Sequence, residues 1–295
     1  MPVSVALEPT TSCNLRCPEC PSGLRSFTRP TGQLDPALFR TVIDELHPWL
    51  CNLTLYFQGE PFLHPELMSM IRSAADRNVF TRTSTNGHYL TEQNAAGIVG
   101  AGLDHLVISI DGVTQETYSA YRKGGRLDRV LEGARNLVQA RKAARSLTPF
   151  MEFQFLVVRP NEHEIPAMRK LAGDCGVDRV TFKSAQVYDF ENGSPLIPQD
   201  QRYARYRQRG DRWEIRNDMG DRCWRMWSSS VITWDGRVLP CCFDKDAHHV
   251  LGRLPQRTFR EVWTDPAYQS FRETIFRSRS SVDICRNCTE GLKLT

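Results

Sequence analysis

Short β-rich segments and helix-like segments alternate strictly through residues 1–185, and that alternation leaves the chain few possible folds. Strand-like runs lie at 3–8, 52–57, 80–85, 105–110, 151–158 and 179–184, and turn residues follow most of them. The gaps between them carry helix signals. Asp35 serves as N-cap and Pro36 as first helical residue for 35–46, where Leu38, Val42, Ile43 and Leu46 recur at helical spacing. Helices are also expected over 65–77, over 92–100 after Thr91, after Thr114, over 127–145, and over 162–175 with Pro166 in the first turn. Six strand–helix units in this order predict an α/β fold, a parallel sheet with right-handed crossovers. Eight units close a full barrel, so six predict a partial barrel, (β/α)6, open on one side.

The pattern changes after residue 185. Residues 186–222 are polar, aromatic and rich in turn formers, and read as a long connection wrapping the core. Residues 223–295 read as a small C-terminal domain. It contains a hairpin turning at Asp235-Gly236 and a helix near 258–277. Hydrophobic residues make up 40% of the chain, enough for a substantial core, which excludes a disordered chain. No apolar run approaches the roughly 18 residues of a membrane helix. The N-terminal MPVSVALEP lacks a basic n-region, so no signal peptide is read and the cytoplasm is the expected location. A net charge of +4 is weak support for nucleic-acid binding.

Ten cysteines in a chain without an export signal point to metal rather than disulfides. Cys13, Cys17 and Cys20 form a CxxxCxxC triplet directly after the first strand, at the edge where barrel enzymes place their chemistry. Three thiolates suit iron or zinc and leave one metal position open. A zinc knuckle with a remote fourth ligand is the alternative. Five more cysteines follow residue 220, which predicts a second metal site. Cys51 and Cys175 are expected to be buried thiols with no ligand role.

The triplet and its place after strand one resemble the radical S-adenosylmethionine (SAM) superfamily. That resemblance implies a [4Fe–4S] cluster on Cys13, Cys17 and Cys20, with SAM on the open iron. Gln58-Gly59-Glu60-Pro61 is similar to the family's GGEP motif, which meets the SAM amino group. Ser84 and Asn86 end strand three, and Ser109 and Asp111 end strand four. In the family such groups hold the ribose and carboxylate of SAM. Arg122 matches an arginine that grips the carboxylate, a task its planar fork suits. Leu156 on strand five is assigned to the adenine. Cys223, twelve residues, Gly236, four residues and Cys241, then Cys285 and Cys288, resemble the start of the SPASM pattern in its shorter twitch form. The resemblance implies a second [4Fe–4S] cluster on Cys223, Cys241, Cys285 and Cys288; a four-cysteine zinc ribbon is the alternative.

By this resemblance the chain is expected to cleave SAM reductively, with an electron from a reductant such as flavodoxin or ferredoxin. The resulting 5′-deoxyadenosyl radical abstracts hydrogen from a substrate. Cys242, beside a cluster ligand, is a candidate hydrogen-atom donor, which makes the outcome either dehydrogenation or epimerisation. Lys183 is a candidate acid/base or anion grip. Tyr56, Gln58, Gln154 and Gln186 are expected to line the pocket with it. His248 and His249 are expected to be exposed loop residues. The chain begins almost at strand one, which predicts no peptide-binding domain before it. A small polar molecule (a sugar, aminocyclitol or amino acid derivative) is therefore the expected substrate. A maturase acting on a ribosomally made peptide is the alternative, and a zinc protein binding nucleic acid the alternative of another class.

Overall fold

The computed structural model describes residues 1–216 and 220–288. All six expected strands form: β1 (Ser4–Leu7), β2 (Asn52–Thr54), β3 (Phe80–Thr85), β4 (His105–Ser109), β5 (Phe150–Val157) and β6 (Arg179–Ser184). Each pairs with the next in parallel. The intervening helices are Pro36–Leu46, Leu67–Ala75, Glu92–Ala101, Gln115–Tyr121, Leu127–Ala144 and Ile165–Cys175. Asp35 and Thr91 cap their helices through backbone N–H groups, as their positions predict.

Strand alternation separates two environments. Val5, Leu7, Leu53, Leu106, Ile108 and Phe153 point outward and pack with the helices into one apolar core. Ser4, Ala6, Thr54, Arg82, Ser84, Gln154 and Lys183 point inward and line a cavity. A parallel barrel usually buries apolar side chains on both faces of its strands. Here the inner face is polar because it is a cavity wall.

The C-terminal segment does more than cap the barrel. β9 (Ser229–Ile232) pairs in parallel with β1, from Ser4↔Ser229 to Leu7↔Ile232. β10 (Arg237–Leu239) returns from the Asp235-Gly236 turn, and β11 (Gly252–Arg253) pairs with β10. The result is one nine-stranded sheet in the order β11-β10-β9-β1-β2-β3-β4-β5-β6. The segment 186–222, expected as a plain connection, contains a separate hairpin of β7 (Tyr206–Arg209) and β8 (Arg212–Ile215). The single helix expected over 258–277 is two, Phe259–Trp263 and Pro266–Ser278, because Asp265 accepts a hydrogen bond from Ala267 N and starts a new helix. Cys51, expected to be buried, is exposed, since it lies on the bend entering β2 at the rim away from the cavity. Cys175 is buried as expected. No helix is long and apolar enough to cross a membrane among the described residues.

Candidate active site and two cysteine centres

The loop after β1 carries Cys13, Cys17 and Cys20 to the mouth of the partial barrel. Cys17 and Cys20 line a cavity of about 440 Å³. Burial pushes the Cys17 thiol up to about 11, and Cys13 is raised for the same reason. Cys13 feels the charge of Cys20, and Cys17 feels those of Cys20 and Cys13, so the three are neighbours. Buried thiols need a cation to lose their protons, which is what metal binding supplies. Among the described residues no three His, Cys, Asp or Glu side chains gather tightly enough for a single ion. A four-iron cluster takes each thiolate at a different iron, so it tolerates this wider spacing. The residues present therefore fit such a cluster, with Asn86 Nδ2 and Arg122 Nη1 each 3.9 Å from a thiol, Cys13 and Cys17 respectively.

The QGEP turn after β2 braces this loop. Gly59 has φ +76°, and a Cβ there would lie 2.2 Å from Thr10 O. Only glycine allows so close an approach in that conformation. Gly59 N donates to Ser22 Oγ at 3.0 Å, and Glu60 N to Ser12 O at 2.7 Å. Gln58 is buried and faces the cavity. Glu60 faces elsewhere. Its carboxylate accepts from Thr85 Oγ1 at 2.8 Å, Asn86 N at 2.7 Å and Phe62 N at 3.2 Å. Burial pushes Glu60 up to about 7 in spite of these three bonds. Glu60 clamps two strand ends together. The helical turn that begins at Pro61 draws its carboxylate inward.

A similar division holds on the other side of the mouth. Ser84, Ser109, Arg122 and Leu156 line the cavity. Asp111 is fully buried behind them, accepting from Arg122 Nε at 2.5 Å and Leu156 N at 2.7 Å. It aims the arginine. Asn86 Nδ2 is spent on Asn14 Oδ1 at 2.7 Å, within the cysteine loop. Of the residues assigned from the sequence, Gln58, Ser84, Ser109, Arg122 and Leu156 thus stand on the wall, and Gly59, Glu60, Asn86 and Asp111 support them.

Tyr56, Gln154, Lys183, Arg82, Arg225, Cys241 and Cys242 belong to the same lining. Cys242 is exposed to this space and hydrogen-bonded to Cys241. Gln186 lies outside the lining, where its Oε1 accepts from Lys245 Nζ at 2.9 Å. Lys245 also donates to Tyr188 OH at 3.0 Å, and Tyr188 N donates to Glu19 Oε2 at 2.9 Å. The connecting segment is thereby fastened to the cysteine loop. Lys245, Arg82 and Arg225 were missed in the sequence. Period-2 alternation along β3 would have exposed Arg82, because Ser84 was already placed inward.

The second centre lies at the other end of the cavity. Cys223, Cys241 and Cys285 pack round Met226, Ile275 and Val282. Arg279 Nη2 is 3.1 Å from Cys288 Sγ, and the Arg279 guanidinium feels the charges of Cys223 and Cys285 too. Three thiols round the Arg279 guanidinium, with Cys241 feeling the charge of Cys288, fit a second, closed cluster. Asn287, inside the CxxC, is held by Tyr206 OH at 2.6 Å and Arg205 Nη1 at 3.1 Å. The β7–β8 hairpin thus positions the last two cysteines. His248 is exposed as expected, whereas His249 is half-buried with Nε2 2.6 Å from Asp283 Oδ1.

The sequence profile of the radical SAM superfamily matches residues 7–171, and that of the SPASM iron–sulfur cluster-binding domain matches residues 223–289. The chain is 29% identical over 309 aligned residues to a PqqA peptide cyclase of Gluconobacter oxydans (strain 621H), covering 97% of this chain and 82% of that protein. SuiB of Streptococcus suis, solved with precursor peptide SuiA, has a TM-score of 0.69 at 13% identity, covering 100% of this chain and 72% of that one. BtrN, solved with SAM and 2-DOIA, has a TM-score of 0.61 at 20% identity, covering 98% and 93%. At these identities the two solved structures speak for the fold alone.

Proposed function

The chain belongs to the radical SAM superfamily, and from that premise we propose that it is an enzyme modifying a peptide by hydrogen abstraction. Its cofactors are [4Fe–4S] clusters and SAM. When bound, they supply an organic radical that removes a hydrogen atom and, at the second centre, an acceptor for one electron. The protein's own residues bind, orient and exclude water. Asp111 holds the Arg122 fork toward the mouth at 2.5 Å. We assign Arg122 to the SAM carboxylate, Ser84 and Ser109 to the ribose and carboxylate, Gln58 to the amino group and Leu156 to the adenine. Cys13, Cys17 and Cys20 hold the first cluster; Cys223, Cys241, Cys285 and Cys288 hold the second.

The observation that carries the substrate class is the end-to-end similarity to a peptide cyclase, which runs through both cysteine centres. It replaces the small polar molecule as first choice. The test uses the reconstituted, reduced enzyme with SAM and the short peptides encoded beside its gene. A peptide product lighter by two hydrogens, formed with 5′-deoxyadenosine, supports the proposal. Stimulation by an aminocyclitol or sugar and by no peptide would refute it. In the oxidative reading Cys242→Ala still forms the lighter product; a product of unchanged mass that Cys242→Ala no longer forms, at an unaltered rate of SAM cleavage, would instead assign Cys242 a hydrogen-return role.

A further inference from the structure

The side chains lining the cavity are out of balance in charge. Five of its lining residues are Arg or Lys, and Glu19 is the carboxylate among them. Two cations have local duties: Arg122 is paired with Asp111, and Lys245 is held by Gln186 and Tyr188. Arg82 and Lys183 differ. They come from β3 and β6, opposite staves of the partial barrel, and both project into the same space. They are close enough to repel each other.

The nearest carboxylate to both is Glu152, and it is already engaged. Its Oε2 lies 2.5 Å from Arg179 Nη2 and 3.1 Å from His105 Nε2. The charges Lys183 feels most are those of Arg82, Glu152, Cys242 and Arg225. The first triplet lies on the side of Arg122, whose Nη1 is 3.9 Å from Cys17 Sγ. Two like charges held together in a partly desolvated cavity are costly unless a ligand balances them.

We propose that Arg82 and Lys183 form an anion subsite that binds a carboxylate of the substrate, beside Cys242. This rests on the assignment of the cavity as the substrate site and refines it: the modified segment carries an acidic side chain. The guanidinium fork of Arg82 fixes the plane of that carboxylate and Lys183 adds a point charge. Together they set which carbon of the bound segment lies nearest the radical source. Arg82 and Lys183 are thus specificity-determining residues, and a neutral analogue leaves two cations unpaired.

The test is equilibrium titration calorimetry on the cluster-loaded enzyme with SAM, anaerobically and at low salt. The probes are acetyl-Gly-Asp-Gly-amide against its Asn counterpart, and succinate against succinamide. The acidic probe of each pair is expected to bind at least about tenfold more tightly. The Arg82→Gln/Lys183→Gln double variant is expected to bind both alike, with its SAM affinity unchanged. Lys183→Gln alone, at an exposed position, serves as the second variant and is expected to lose part of the discrimination, while Lys183→Arg keeps it. Discrimination for succinate with no binding of either peptide upholds the anion subsite and removes the peptide reading. Equal binding of the two peptides, discrimination that survives the double variant, or no binding of any probe overturns the subsite.

Discussion

Burial sets the charge of Glu60 near neutrality, and this has a measurable sign. Its folded pKa is raised to about 7 from the model-compound value of 4.5, by desolvation first of all. Stability from the protonated carboxyl is complete below about pH 4.5 and is lost as pH rises through 7. The loss attributable to this group is of order 3 kcal/mol. Glu60→Gln should be less stable overall but should lack this fall, as read by urea unfolding at about pH 5 and about pH 8. Equal pH dependence in the two proteins would contradict the assignment. Arg279 makes a second residue-scale prediction. Its charged hydrogen bond to Cys288 stabilises added electron density at the second centre. Arg279→Met should lower that cluster's reduction potential by on the order of 60 mV, the one-electron equivalent of a tenfold equilibrium shift. An electron paramagnetic resonance redox titration reads it, and an unchanged midpoint would dismiss the role. The seven proposed ligand cysteines were legible in the sequence through their resemblance to the family's cysteine patterns. Arg279 was not, because nothing local distinguishes it from its many neighbouring arginines.

At the scale of elements, the QGEP turn and the cysteine loop stand or fall together. Gly59→Ala places a methyl group against Thr10 O and forces a left-handed conformation on alanine. That conformation alone costs roughly 1–2 kcal/mol. The variant should melt at a lower temperature and hold less iron at the first centre, while the second centre still loads. Full iron content at an unchanged melting temperature would refute the bracing role. The six strand–helix units were legible because each is signalled locally, by caps and by apolar spacing. The parallel pairing of β9 with β1 was not, since it joins residues more than two hundred positions apart. The break at Asp265-Pro266 was legible in principle. It repeats the Asp35-Pro36 signal that correctly placed an earlier helix start. Apolar periodicity on both sides of the break masked it.

For the whole molecule, the sheet order explains why two cysteine centres share one cavity. β9 lies beside β1, so the chain leaving the barrel returns next to the strand that feeds the first triplet. Cys17 and Cys20 on one wall then face Cys241 and Cys242 on another. The sequence pointed to two centres at opposite ends of the chain, and the fold brings them together round an interior rich in cations. Substrate class was the least legible property, because it depends on the cavity's contents more than on the motifs at its rim. The most direct test of the account is iron analysis joined to SAM cleavage. Anaerobically reconstituted protein should hold about eight irons per chain, as two four-iron clusters. On reduction it should convert SAM to 5′-deoxyadenosine and methionine, and a Cys13→Ala/Cys17→Ala/Cys20→Ala variant should hold about four irons and cleave none. Stoichiometric zinc with no SAM cleavage by the unaltered protein would contradict the account.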